Sequence, residues 1–273
     1  MTEYLIRFLI GGAVVSAFSM LGDVLKPKSF AGLFGAAPSV ALATLGIAIY
    51  EHGAVYAGAQ SLSMMAGAVA LVVYSILVCQ LLMRARMRAL PATIVSIVVW
   101  LGAAFGLWAL AGGVRARLPM KVSPSSLREG WWYEYLVRFG LGGAATAFTG
   151  LISSRYGASI EGLFLALPAI FCASATLIEK HELRRKREAG LEGRRRGREA
   201  AALDAAGAAL GALGMLAFAA VFWFLVERSV AGAFIGASLA WLTVAVAAWF
   251  VRRQVRLARL AQRDSGTALS RCR

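Results

Sequence analysis

The chain has 273 residues and a net charge of +15, and 59% of its residues belong to the apolar set of Ala, Val, Ile, Leu, Met, Phe, Trp, Tyr and Cys. Only 16% are charged, against about a quarter in soluble domains, so the composition excludes an ordinary soluble protein. Eight spans of about 20 residues would account for the apolar content. The sequence therefore predicts an all-α integral membrane protein with eight transmembrane helices.

Eight apolar segments follow one another along the chain. Each is expected to be a helix, because the hydrocarbon core of a membrane offers the backbone no hydrogen-bond partners. The fifth and sixth segments have only about 18 residues, so a re-entrant hairpin is an alternative there. The segments cover residues 4–24, 30–50, 54–83, 90–114, 135–152, 161–178, 201–226 and 229–251.

The two halves of the chain repeat one another. The sequence EYLIRFLIGG at 3–12 recurs as EYLVRFGLGG at 134–143, and AGLFGAAP at 31–38 recurs as EGLFLALP at 161–168. A tryptophan pair spaced by eight residues recurs later in each half. Three matching blocks in the same order indicate a duplication of one four-helix unit. The predicted organisation is a repeat at 1–114, a polar linker at 115–133, a second repeat at 134–253 and a basic cytoplasmic tail at 254–273.

The distribution of Lys and Arg predicts the orientation in the membrane, since cytoplasmic loops carry the excess. With the N-terminus inside, 22 basic residues are inside and 7 are outside, which predicts that both termini are cytoplasmic. The first repeat alone predicts the opposite, because all five basic residues of its short loops would be outside: Lys26, Lys28, Arg84, Arg86 and Arg88. Four helices return the chain to its starting side and the linker is polar, so we expect the two repeats to run parallel.

Each repeat opens with a carboxylate four residues before an arginine, at Glu3/Arg7 and at Glu134/Arg138. This spacing places both groups on one helix face. One interpretation is an interfacial ion pair whose arginine reaches the lipid headgroups, which suits a position one turn into a span. The other places Arg7 and Arg138 around an anionic substrate or a lipid phosphate.

Pro38 and Pro168 interrupt the second helix of each repeat. Matched helix breaks in two repeats are typical of a transport site, although membrane helices also tolerate proline.

A histidine and a glutamate end the second helix of each repeat, as Glu51-His52 and, in reversed order, as His181-Glu182. Such pairs are candidates for a proton relay, and the alternative is that they are solvated end residues.

The sequence contains no motif of catalysis, metal binding or phosphate binding: GxSxG, HExxH, paired CxxC and Walker patterns are all missing. We therefore predict no catalytic residue, no metal, no cofactor and no enzymatic activity. The basic stretches at 181–199 and 252–263 favour contact with anionic lipids of the bilayer over binding of nucleic acid. Small-residue spacings such as Gly102 to Gly106 favour close helix packing, and a homo-oligomer is left open.

The segments GLFGAAPSVALATLGIAIYEHG (32–53) and MRALPATIVSIVVWLGAAFGLWAL (87–110) resemble the GlpM-like family of small bacterial inner-membrane proteins. The resemblance covers most of 3–111 and, more weakly, 134–251. It implies a fused tandem pair of four-helix units in a bacterial inner membrane, and it implies no activity, since none is settled for the family. In the second half, His181 and Gly232 replace the glutamate and proline of the family pattern.

Two functions are compatible with these patterns. The first is a transporter or flippase-like carrier for a small or lipid-linked anionic solute, with Arg7, Arg138, Pro38 and Pro168 at the interface between the repeats. The alternative is a non-transporting scaffold or accessory subunit for cell-envelope synthesis, which suits the lack of a carboxylate in the middle of any span. Burial of the arginines away from lipid would favour the carrier.

Overall fold

A computed structural model describes residues 2–24, 33–34, 36–110, 133–188 and 193–271. All regular secondary structure in these residues is helical, in agreement with the predicted all-α class. The helices are α1 (Thr2–Val24), α2 (Ser39–His52), α3 (Ala54–Met83), α4 (Ala89–Leu110), α5 (Tyr133–Tyr156), α6 (Ala158–Phe164), α7 (Ala169–Glu188), α8 (Arg194–Leu225) and α9 (Val230–Arg271). Helices α1–α4 are called the first half below, and α5–α9 the second half.

Within the described residues, four helices are long and apolar enough to cross a membrane: α3, α4, α8 and the part of α9 from Val230 to Ala258. Helix α5 is continuous over 24 residues, about 36 Å at 1.5 Å per residue, so no hairpin interrupts the fifth segment. These lengths and compositions support a membrane protein. Helix α9 continues without a break through most of the predicted basic tail, as far as Arg271.

The second apolar segment of each half is broken at its proline. Helix α2 begins only after Pro38, and α7 begins only after Pro168, because proline cannot donate to a helix ladder and clashes with the carbonyl four residues earlier. Single turns precede both prolines at matching positions. Their hydrogen bonds run from the N–H of Ala36 to the Leu33 carbonyl (3.3 Å) and from the N–H of Ala166 to the Leu163 carbonyl (3.4 Å).

The first helices of the two halves, α1 and α5, pack directly against each other and run antiparallel. Arg7, near the start of α1, lies against Gly150, near the end of α5, and Gly12 lies against Phe139, nearer the start of α5. Gly143 in turn lies against Phe8, so each helix places a phenylalanine over a glycine of the other. The two rings meet edge to face, with centroids 5.5 Å apart.

The third helices of the two halves, α3 and α8, are antiparallel as well. Gly58 near the start of α3 lies beside Val226, just after α8, and the Ser61 hydroxyl donates to the Ala219 carbonyl at 2.7 Å. At the other end, Cys79 and Leu203 line one cavity. The expectation of parallel halves is therefore wrong for the described helices.

The halves are antiparallel because the first helix of each repeat has a self-complementary surface. A phenylalanine of one copy packs over a glycine of the other. The number of predicted crossings contains no information about this surface. Nearly all of the predicted linker at 115–133 falls within residues 111–132, which lie outside the described residues.

The antiparallel arrangement brings the basic segments of both halves to one end of the bundle, called the basic end below. There the Arg198 guanidinium donates to the Arg86 carbonyl at 3.2 Å, and the Ala89 N–H donates to Glu179 at 2.8 Å. Helix α1 starts at the opposite end, whereas the apolar part of α9 finishes at the basic end. Among the described helices, the start of α1 and the end of the apolar part of α9 therefore lie at opposite ends of the bundle, and the cytoplasmic location of both termini stays a prediction.

Candidate functional site

Arg7 forms the centre of a buried ionic cluster between the two halves. Its Nη2 atom lies 2.8 Å from Oε2 of Glu51, and its Nη1 atom lies 3.3 Å from Oε1 of Glu161. The side chains of Arg7 and Glu161 are fully buried, and that of Glu51 is 19% exposed. One guanidinium therefore holds one carboxylate from each half. Removing such charges from water is costly unless their hydrogen bonds are completed by the surroundings.

The second oxygen of Glu161 is held by polar side chains of α3. Its Oε2 atom accepts hydrogen bonds from the Tyr56 hydroxyl at 3.3 Å and from the Gln60 amide. The Tyr56 hydroxyl also contacts the Ser153 hydroxyl on α5. Tyr56 and Gln60 are four residues apart and therefore share one helix face. The amide oxygen of Gln60 is buried without a hydrogen-bond partner among the described residues.

Two glycines with positive φ place these groups together. Gly53 (φ +85°) is the single residue between α2 and α3, and Gly157 (φ +78°) is the single residue between α5 and α6. Other residues rarely adopt this left-handed conformation, so glycine permits the abrupt joins. Glu51 precedes the first join, and Glu161 follows the second.

Gly150 provides the space for the arginine itself. A Cβ atom added there would lie 2.6 Å from Cδ of Arg7. The Arg7 side chain therefore crosses α5 where that helix has no side chain of its own.

His52 lies at the rim of the cluster. Its ring packs against the Tyr56 ring, with the ring centroids 4.6 Å apart, and its Nε2 atom is 3.8 Å from Oε2 of Glu51. Its side chain is 11% exposed, and its Nε2 atom has no hydrogen-bond partner among the described residues. Glu51 and His52 thus end α2 as predicted, with the carboxylate turned inward onto Arg7.

Several predicted site residues fall on side chains outside the described part of the structure: Glu3, Glu134, Arg138, His181 and Glu182. The Arg7 side chain is described and is fully buried in the protein, which favours the interpretation that places it away from the lipid headgroups. Pro38 and Pro168 are both buried at helix breaks, outside the cluster itself.

Glu161, Tyr56, Gln60 and Ser153 are the cluster members that the sequence analysis missed. The sequence carries one signal for Glu161: the motif EGLFLALP begins with this charged residue, whereas the matching motif of the first half, AGLFGAAP, begins with the uncharged Ala31. Tyr56, Gln60 and Ser153 carry no such mark, since polar residues near helix ends are common.

The chemistry of the cluster follows from its charges. The Arg7 guanidinium contacts the carboxylates of Glu51 and Glu161 among the described side chains, so an oxygen of an anionic ligand could replace either of these carboxylates on Arg7. Among the described residues, no group of three or more His, Cys, Asp or Glu side chains could hold a metal ion.

Residues 4–111 match a known protein family. Its description is "Protein of unknown function (DUF3147)". No curated protein and no solved structure matches the chain significantly. The matched segment contains Arg7, Glu51, Tyr56 and Gln60, whereas Glu161 lies outside it. The cluster is therefore assembled from the matched segment and from the remainder of the chain.

Proposed function

We propose that this protein is a membrane carrier for a small or lipid-linked anionic solute, built from two inverted four-helix repeats that close on Arg7. The observation that carries this proposal is the fully buried guanidinium at the junction of the halves, held by Glu51 of the first half and Glu161 of the second. Ionisable residues inside membrane proteins are costly, and they commonly mark substrate or ion pathways.

Matched contacts support a tandem duplication with inverted halves. A Cβ atom added at Gly67 would meet the Leu163 carbonyl oxygen at 2.5 Å, and one added at Gly211 would meet the Leu33 carbonyl oxygen at the same distance. Leu33 and Leu163 are related by the sequence repeat. Inverted repeats with broken helices at corresponding positions are a common construction of secondary transporters.

The two ion pairs of Arg7 respond differently to a relative motion of the halves. The bridge to Glu51 lies within the first half and is kept, whereas the bridge to Glu161 joins the halves and is broken. An anionic solute then replaces Glu161 on the guanidinium with its own oxygens. The charge around Arg7 stays the same in both states, so neither state leaves the buried arginine without a second anion.

We propose that the basic end faces the cytoplasm of a bacterial inner membrane. Described arginines are concentrated there, in the α3–α4 loop, near the start of α8 and in α9 after Val251, whereas Arg155 and Arg228 are at the opposite end. This orientation removes the conflict between the charge biases of the two halves, and it places the N-terminus outside.

The test is transport by the purified full chain in proteoliposomes, with inorganic phosphate and fluorescent phosphatidylglycerol as probes. We expect the wild type to transport one of these anions and Arg7→Gln to lose this transport. The control Arg155→Gln should retain it, because this variant removes an exposed arginine at the end of the bundle that holds the Arg7 cluster. Glu161→Gln keeps the size of the side chain and should change the transport rate without loss of folding. Transport that Arg7→Gln leaves unchanged would contradict the proposal.

A scaffold for cell-envelope synthesis is the second candidate. It is favoured by the exposed faces of α4 and α9. In the most apolar stretch of each helix, only 22% and 17% of the residues, respectively, are buried, so both helices offer surface to partner helices. No movement of either anion, together with co-purification of a stable envelope complex, would favour this candidate.

A further inference from the structure

A cavity of about 670 Å³ opens at the basic end between α3, α8 and α9. Its apolar lining includes Cys79, Met83 and Leu203, and its charged lining includes Arg196, Arg252 and Arg256. The volume lies within the range of about 300–1,000 Å³ that small-molecule sites occupy. The cavity is far from the Arg7 cluster, which lies at the opposite end of the bundle.

The arginines of α9 supply the uncompensated charge in this cavity. Glu199, the acidic residue of the lining, is engaged by Arg195 at 2.9 Å and by Arg196 at 3.5 Å. Arg252 and Arg256 are four residues apart on one face of α9, and no carboxylate of the described residues forms an ion pair with either. Two guanidinium groups on one face match the several acceptor oxygens of a phosphate.

The depth of the cavity indicates a lipid. Helix α3 ends at Met83, and the apolar run of α9 ends at Val251, directly before Arg252. The arginines therefore lie where hydrocarbon gives way to headgroups, and the apolar wall of Met83 and Leu203 continues beside them. A soluble anion would use the arginines and leave this wall without a role.

We propose that the cavity binds the phosphate of an anionic membrane lipid between Arg252 and Arg256, with an acyl chain lying against Met83 and Leu203. The site is independent of the proposed transport function, because none of its residues belongs to the Arg7 cluster. This site is one defined position for a lipid, whereas the sequence indicated only a general attraction of basic loops to anionic lipids.

The experiment is native mass spectrometry of the detergent-purified full chain, titrated with phosphatidylglycerol, with phosphatidylcholine and with inorganic phosphate. The test variant is Arg252→Gln/Arg256→Gln. The control is Arg253→Gln, which removes a neighbouring charge on the same helix that stacks over Trp249 at 5.7 Å and does not line the cavity. Size-exclusion profiles establish that each variant is folded.

We expect one tightly bound phosphatidylglycerol in the wild type and in Arg253→Gln, and about tenfold weaker binding in the double variant. Phosphatidylcholine should bind weakly to all three proteins, and inorganic phosphate should not compete at millimolar concentration. Equal losses in the double variant and in Arg253→Gln would overturn the proposal, because they would indicate a general charge effect. Displacement of the lipid by inorganic phosphate would overturn it as well, because the site would then be one for free anions.

Discussion

Removing single members of the Arg7 cluster should destabilise the protein in a defined order. Arg7→Met leaves Glu161 fully buried without the guanidinium that it contacts, and breaking a buried ion pair in this way costs about 3–5 kcal/mol. Glu161→Gln should cost less, about 1–3 kcal/mol, because Arg7 retains Glu51 and an amide still completes hydrogen bonds with Tyr56 and Gln60. Glu51→Gln should cost least, because the Glu51 side chain is 19% exposed and water can replace it.

The double variant Arg7→Met/Glu161→Gln tests whether Arg7 and Glu161 stabilise the protein as an ion pair or contribute independently of each other. Because the two side chains are in contact, its destabilisation should be smaller than the sum of the single values by about 1–3 kcal/mol. The assay is reversible unfolding of the detergent-solubilised chain, with the exposed Arg155→Gln as the control for charge loss. Additive single effects, or a larger cost for Glu51→Gln than for Glu161→Gln, would refute the assignment of Arg7 as the link between the halves.

Two further predictions concern the contact between the halves. Gly143→Ala should lower the stability by about 1–3 kcal/mol, because the added Cβ would lie 2.5 Å from the Phe8 carbonyl oxygen. The control Gly140→Ala should leave the stability unchanged, because a Cβ added there would have no atom within 4 Å. Thermal unfolding in detergent measures both variants, and equal effects would argue against the α1–α5 packing. Asp204 is only 3% exposed and follows Gln60 by 144 residues, the separation that also relates the matched contacts at Gly67 and Gly211, so we expect Asp204 to pair with Arg138, the counterpart of Arg7. A double-mutant cycle of Arg138→Gln and Asp204→Asn should therefore show coupling, and independent effects would contradict the repeat relation.

The long helices could be predicted from the sequence because local composition determines them. The apolar segment at 54–83 coincides with α3, and the prolines mark where the second helix of each half is broken. The continuation of α9 to Arg271 was not predicted, because the charged residues after Val251 end the apolar pattern that indicates a membrane span. A helix needs no apolar surroundings once its backbone bonds are made within the segment.

The ionic cluster could not be predicted because its contacts are distant in sequence. Arg7 and Glu161 are 154 residues apart, and Gln60 and Glu161 are 101 apart. A glutamate beside a short apolar segment is ordinarily an interfacial residue, and only the turn at Gly157 and the space at Gly150 bring this one to Arg7. The inverted arrangement was missed for a similar reason, because helix counting contains no information on which surfaces fit together.

The inverted arrangement of the halves is the central claim, and it is tested most directly by cysteine labelling from each side of the membrane. In a background without the native cysteines, Arg86→Cys reports the basic end, and Tyr156→Cys, whose wild-type side chain is 62% exposed, reports the opposite end. An impermeant maleimide should label position 156 from outside intact spheroplasts, and it should label position 86 only in inverted vesicles. Labelling of both positions from the same side would contradict the inverted halves and, with them, the carrier that closes on Arg7.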